Sequence, residues 1–184
     1  MRFSSLSLLS ACLFHFTPTH LHAEDQKGVA VKLDNLKSFT PADWKSEKPL
    51  NRLRSYQFRL PGAKDAKDAE VFIFPDLTNT VEENFRRYKE MFVVPEGKTA
   101  DDIAKVEKFT VGKAKVNVLE MEGTWNYKER PFDPKSKQET RPNSRVISVI
   151  FNTDDGNYLI RLAGPAATVN HHYKGFMEWI KGFK

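Results

Sequence analysis

The fold is decided by the stretch Val146-Ile-Ser-Val-Ile-Phe151 and by the segment that returns beside it, Tyr158-Leu-Ile-Arg-Leu162. The first stretch is apolar almost throughout, so both of its faces need cover, as in a central strand of a sheet. Between the two lies Asp154-Asp-Gly156, which is typical of a hairpin turn. The pattern predicts a strand pair at the centre of a sheet, with other elements packed on it.

Further strands are predicted earlier in the chain. Apolar residues alternate or run together in four segments, 54–60, 71–74, 106–111 and 114–127. In the last segment the alternation shifts by one position near Val118, which predicts a β-bulge or a strong twist there. A shorter strand begins at Leu36 and ends at Pro41, and the turn after it is expected to bury Trp44.

Two helices are predicted to cover the sheet. Thr80-Val-Glu-Glu83 matches a capping box, and the apolar stripe that follows it ends at Pro95-Glu-Gly97. A C-terminal helix opens at Gly164-Pro165, because proline suits a first helical position. Its apolar residues recur at helical spacing: Val169, Tyr173, Phe176, Ile180 and Phe183. We therefore expect an α+β fold, an antiparallel twisted sheet with helices packed on it as an α-β-α sandwich.

The first residues have the layout of an export signal. Arg2 precedes an apolar run of about a dozen residues, whereas a bilayer-spanning helix needs about 20. Cleavage after Ala23 separates a signal peptide, residues 1–23, from a single globular domain, residues 24–184. Alternatively, Leu9-Ser-Ala-Cys12 resembles a bacterial lipobox, and Cys12 would then carry a lipid anchor. We favour the first interpretation because the apolar run continues beyond Cys12.

Composition narrows the classes of function. The chain of 184 residues carries a formal net charge of +5, which ordinary solubility explains. Its single cysteine lies in the predicted signal, so cleavage after Ala23 leaves a domain without disulfide or thiol chemistry. We expect no cofactor, and we expect no nucleic-acid partner for an exported chain.

Several short motifs resemble those of a known fold. Phe39-Thr-Pro-Ala-Asp-Trp44, Phe58-Arg-Leu-Pro61, Lys105-Val-Glu-Lys-Phe109 and Leu162-Ala-Gly-Pro165 are similar to motifs of uncharacterised secreted bacterial proteins with the PsbP-like (Mog-like) fold. The resemblance implies an α-β-α sandwich. Because the photosystem proteins that share this fold are accessory subunits, it also implies an accessory role. Its motifs are structural and offer no catalytic or metal site to carry over.

Three polar motifs are interpreted as structural. His171 and His172 are adjacent and point about 100° apart on a helix, so they do not form a chelating pair and are expected on a solvated face. The acids of Asp154-Asp-Gly156 are also adjacent and lack the closing glutamate of a calcium loop. Glu120 and Glu122 share a strand face without a partner histidine, so we expect both on the solvent side. We predict no catalytic residue and no metal site.

The segment 128–144 is the candidate binding surface. It joins two predicted core strands and contains three prolines and five basic residues. Loops of this length are usually functional or disordered. With the aromatic residues nearby, it predicts a binding site for an envelope protein, an anionic lipid or a polysaccharide. The candidate residues are Trp125, Tyr127, Lys128, Arg130, Phe132 and Arg141.

The expected function is that of an exported, non-catalytic accessory or ligand-binding protein of the cell envelope, periplasmic or secreted. One alternative is a small hydrolase-like envelope enzyme with carboxylates from distant segments. Such an enzyme would show a deep pocket with polar groups of strongly shifted acidity. A second alternative is a lipid-anchored envelope module, which depends on Cys12.

Overall fold

The computed structural model describes residues 28–129, 133 and 135–184. The predicted signal, with its processing sites at Ala23 and Cys12, lies outside the described residues, as do Arg130 and Phe132. In the described part the elements run in this order: β1 Ala30–Leu33, β2 Leu36–Phe39, β3 Lys45–Glu47, β4 Tyr56–Leu60, β5 Ala69–Phe74, α1 Val81–Lys89, β6 Ala104–Val111, β7 Ala114–Lys128, β8 Gln138–Asn152, β9 Asn157–Pro165 and α2 Ala166–Lys181.

Seven of the described strands form one antiparallel sheet in the order β3-β4-β5-β9-β8-β7-β6. The β8–β9 hairpin pairs from Ser144↔Pro165 to Asn152↔Asn157, so the predicted central pair is confirmed. Strands β1 and β2 form a separate hairpin. The chain end joins that hairpin through backbone hydrogen bonds between Lys37 and Lys184.

Helix α2 covers one face of the sheet, which we call the α2 face. Val169, Phe176 and Ile180 are fully buried there against the strands, as their spacing predicts. Trp44 is also buried on this face, with its ring centroid 5.1 Å from that of Trp179. The burial predicted for Trp44 is therefore confirmed.

Helix α1 packs on the opposite face, which we call the α1 face. Phe85 of the helix and Phe92 after it join a second apolar cluster with Leu119 and Leu159 of the sheet. The predicted capping box starts the helix: the backbone N–H of Glu83 donates to Thr80 Oγ1 at 3.2 Å, and that of Thr80 donates to Glu83 Oε2 at 2.9 Å. Two helix-covered faces complete the α+β sandwich expected from the sequence.

The bulge predicted near Val118 is wrong. Strand β7 pairs regularly with β8 up to Gly123↔Ser144, and its register shifts between Gly123 and Trp125. Val118 and Leu119 are both buried, because helices cover the two faces of the sheet. Consecutive apolar residues therefore indicate cover on both sides here, and no extra residue is needed to explain them.

The long loop predicted over 128–144 is mostly strand. Strand β8 begins at Gln138, so only residues 129–137 connect it to β7. The first residues of β8 are polar and mostly exposed, which removes the apolar alternation by which a strand is recognised. Strands β7 and β8 therefore continue as a pair beyond the ends of their neighbours β6 and β9.

No helix within residues 28–129 and 135–184 is both long enough and apolar enough to cross a lipid bilayer.

Candidate functional site

The ends of β7 and β8 form an arm, which we define as residues 125–128 and 138–141. The arm projects beyond its neighbours, because β6 last pairs with β7 at Met121 and β9 last pairs with β8 at Ser144. Segment 91–93 supports one edge of the arm. The backbone N–H of Val93 donates to Thr124 O at 2.9 Å, and that of Asn126 donates to Met91 O at 2.8 Å.

Four side chains share one side of the arm, which we call its inner face. Trp125 pairs with Arg141 across the strands and Tyr127 pairs with Glu139, and residues two apart on a strand point to the same side. The rings of Trp125 and Tyr127 meet edge to face, with centroids 5.0 Å apart. The guanidinium carbon of Arg141 lies 3.7 Å from the Tyr127 centroid, and its Nη2 donates to Glu139 Oε2 at 2.7 Å.

The inner face encloses a cavity of about 340 Å³, which we call the arm pocket. Its other wall consists of Lys67 and Asp68 just before β5, Glu70 and Phe72 in β5, and residues 163–165 at the end of β9. Two basic and three acidic side chains line it: Lys67, Arg141, Asp68, Glu70 and Glu139. The pocket therefore combines aromatic surface with charges of both signs.

Two ionisable groups of the arm pocket, Tyr127 and Glu139, each keep one charge state near neutral pH. Burial raises the pKa of the Tyr127 phenol, and nearby Glu70 raises it further, against the opposing effect of Arg141. The hydrogen bond from Arg141 lowers the pKa of Glu139. Tyr127 therefore stays protonated and Glu139 stays ionised, which gives the pocket a fixed set of donors and acceptors.

The structure brings three of the six predicted binding residues together, namely Trp125, Tyr127 and Arg141. Lys128 follows Tyr127 and pairs with Gln138 on the other side of the arm. Arg130 and Phe132 lie outside the described residues. The binding role of all six stays a prediction, and a site confined to the inner face would not include Lys128.

Sequence reasoning missed the wall that faces the arm. Glu70 and Phe72 come from β5, far from the arm in sequence, and β9 brings them close by pairing with both β5 and β8. One local signal was present, because Arg161 interrupts the apolar run of β9. In the structure Arg161 is buried, and Arg54 on the same side of the sheet lies 4.2 Å from the Phe72 ring.

The prediction that Glu120 faces solvent is wrong. Glu120 is only 6% exposed, because α2 covers its side of β7, whereas Glu122 is exposed as expected. Glu120 accepts hydrogen bonds from Tyr173 Oη at 2.7 Å and from Arg145 Nη2 at 2.6 Å. Burial and the hydrogen bond to Glu120 raise the pKa of Tyr173 to about 12. This cluster joins α2 to the sheet.

The expectation for His172 is also wrong, since it is 7% exposed and His171 alone faces solvent. The Nε2 of His172 lies 2.9 Å from the carbonyl oxygen of Pro61, and its Nδ1 lies 3.7 Å from Asp43 Oδ2. The helix turns His172 toward the loop after β4 and so buries it. Among the described residues, no three histidine, cysteine or acidic side chains are placed to hold a metal ion.

A second, larger cavity of about 600 Å³ lies between α1 and β6. Its walls include Phe85, Phe92 and Val106, and its rim carries charges of both signs. Of the predicted binding residues that the structure describes, none lines this second cavity. Three of them line the arm pocket.

The fold matches that of solved proteins, although no protein-family model and no curated protein sequence matches this chain. The cyanobacterial PsbP (CyanoP) of Synechocystis sp. PCC 6803 is similar in structure, with a TM-score of 0.50 at 11% identity, over 96% of this chain and 98% of the other. The Pseudomonas aeruginosa protein PA94, described as of unknown function, has a TM-score of 0.45 at 14% identity, over 83% of this chain and 93% of the other. The likeness to the cyanobacterial PsbP shows the PsbP-like fold expected from the sequence.

Proposed function

We propose that this protein is a non-catalytic accessory protein of the cell envelope, and that its arm pocket binds a segment of a partner protein. The observation that carries the proposal is the convergence of Trp125, Tyr127 and Arg141 on one cavity from two strands. Aromatic side chains and arginine contribute most of the binding energy at protein interfaces. The approximate volume of 340 Å³ is suited to a few side chains of such a segment.

The charges of the arm pocket favour a polypeptide over an anionic lipid or an acidic polysaccharide. Acidic side chains outnumber basic ones around the cavity, and Arg141 already has a carboxylate partner in Glu139. A polyanion would meet net repulsion there. A protein segment can offer both signs of charge, and it can present an apolar group to Tyr127 and Phe72.

Export is part of the proposal. We propose that residues 1–23 direct the chain out of the cytoplasm and are removed after Ala23, which leaves a periplasmic or secreted domain. The competing form is lipidated at Cys12. The mass of the N-terminal peptide of the mature protein distinguishes them: a peptide starting at Glu24 supports cleavage after Ala23, and a diacylglyceryl group on Cys12 contradicts it.

The binding role is tested by affinity recovery from the native envelope with two matched double variants. Tyr127→Ala with Arg141→Ala changes the inner face. Lys128→Ala with Gln138→Ala changes the outer face and removes the same charge. Quantitative mass spectrometry should show at least one protein whose recovery is about tenfold lower with the inner-face variant than with the wild type. The outer-face variant should recover that protein as well as the wild type does. Equal recovery with both variants contradicts the proposal, as does binding of wild-type protein to phosphatidylglycerol vesicles in place of any protein.

A further inference from the structure

Arg161 is a buried arginine whose guanidinium is incompletely paired. It lies on β9, at the centre of the α1 face, and is only 7% exposed. Its Nε donates to Ser148 Oγ at 3.0 Å, and its guanidinium carbon lies 4.0 Å from the Tyr88 ring centroid. Its Nη2 is buried and has no hydrogen-bond partner among the described residues. Buried donors in proteins are normally satisfied, so this atom calls for an occupant.

The charges around Arg161 do not balance its own. Burial lowers the pKa of Arg161, the Tyr88 phenol raises it, and the cations of Arg54 and Arg87 lower it. None of these three neighbours is a carboxylate. Because arginine does not lose its proton in proteins, the charge remains and favours an anion beside it.

A small cavity adjoins this guanidinium. Its volume is about 10 Å³, enough for one water-sized particle. Arg161 and Ser148 line it together with apolar and aromatic side chains, among them Met91, Met121 and Trp125. Because Ser148 Oγ already accepts a hydrogen bond from Arg161, its own proton is available for donation into the cavity. The phenol of Tyr88 is engaged with Asn84 at 3.3 Å.

We propose that this cavity is a binding site for a single monatomic anion of the chloride type, held by Nη2 of Arg161 and the hydroxyl of Ser148. Arg161 and Ser148 each bring a donor to its wall, which suits a halide, whereas a water molecule would also need acceptors for its own protons. Phosphate and sulfate are too large for the space. The proposal rests on Arg161 and its cavity and does not depend on the function proposed for the arm pocket, although Trp125 lines both spaces.

Crystals of the full chain soaked in bromide give a direct test. An anomalous peak within hydrogen-bonding distance of Arg161 Nη2 and Ser148 Oγ is the expected result. A water molecule in that position in bromide-soaked crystals overturns the proposal, and so does an empty cavity.

A solution test shows whether the anion binds at moderate concentration. At constant ionic strength, replacing gluconate by chloride should raise the melting temperature. Once the chloride concentration exceeds the dissociation constant, each further tenfold increase in chloride should add about 3 to 5 °C. The rise in melting temperature should disappear in Arg161→Met and become smaller in Ser148→Ala. The control variant Arg59→Gln, which removes an exposed arginine, should keep the full rise. A melting temperature equal in both salts overturns the proposal even where bromide is seen in crystals, and a rise that persists in Arg161→Met does the same.

Discussion

The guanidinium carbon of Arg141 lies 3.7 Å from the ring centroid of Tyr127 on the inner face of the arm, and the Nη2 of Arg141 donates to Glu139 at 2.7 Å. These two contacts restrict a long cationic side chain that would otherwise be free to move. A preformed guanidinium loses less conformational freedom when a partner binds, and such preorganisation favours tight binding. The same contact places the charge of Arg141 over the arm pocket.

Replacing Arg141 should affect binding far more than folding. Its side chain is 39% exposed, so Arg141→Ala should lower the free energy of unfolding by only about 0.5–1 kcal/mol. Arg141→Lys keeps the charge but loses the guanidinium that contacts the Tyr127 ring. We therefore expect it to recover little more partner protein than Arg141→Ala does. Urea unfolding of both variants checks the stability; a loss far above that range would identify Arg141 as a structural residue.

Trp125 should be essential for both the fold and the pocket. It is 3% exposed and belongs to the apolar cluster on the α1 face. Trp125→Ala should lower the free energy of unfolding by about 3–5 kcal/mol, since it leaves a large cavity in a packed core. Trp125→Phe should cost less. A urea midpoint for Trp125→Ala equal to that of the wild type would show that this side chain is not packed as described.

Glu120 and Glu122 on β7 allow a buried glutamate to be compared with an exposed one. Glu120→Ala leaves Arg145 and Tyr173 without their common acceptor, and should destabilise the protein by about 3 kcal/mol. Glu122 lies two residues along the same strand and is exposed, so Glu122→Ala should stay within about 0.5 kcal/mol of the wild type. Equal urea midpoints for the two variants would contradict the burial of Glu120.

Alkaline pH should weaken the fold through Tyr173. Its pKa is about 12 in the folded protein against 10.0 for an unperturbed tyrosine, so the unfolded chain loses this proton first. Stability should therefore be unaffected by Tyr173 below about pH 10 and should fall as the pH rises from about 10 to 12. The fall should be smaller in Tyr173→Phe. Urea unfolding across this range checks it, and parallel curves for the two proteins would contradict the shift.

The elements that could be predicted from the sequence are those with an apolar pattern. The β8–β9 hairpin, the α1 capping box and the α2 stripe each carry a local signal that the packing of the sandwich reinforces. The start of β8 carries polar residues in a projecting arm, so its strand depends on hydrogen bonding to β7 and not on burial. For that reason the sequence pattern predicts a loop where β8 begins.

The candidate site was predictable only on one side. Trp125, Tyr127 and Arg141 stand out as aromatic and basic residues in one segment. Glu70 and Phe72 face them only because β9 joins their strand to β8, and that is a consequence of topology. The burial of Glu120 and His172 likewise depends on where α2 packs. No local pattern encodes that position.

Site-specific photo-crosslinking in the native host shows directly whether the inner face of the arm contacts a partner protein. A photoreactive phenylalanine analogue is placed at Tyr127 on the inner face or, as the control, at neighbouring Lys128 on the outer face. We expect a discrete protein adduct from position 127 that is absent from position 128 and is lost when Arg141→Ala is added. Adducts of equal yield from both positions would contradict it, and so would the absence of an adduct at 127 in a folded, exported protein.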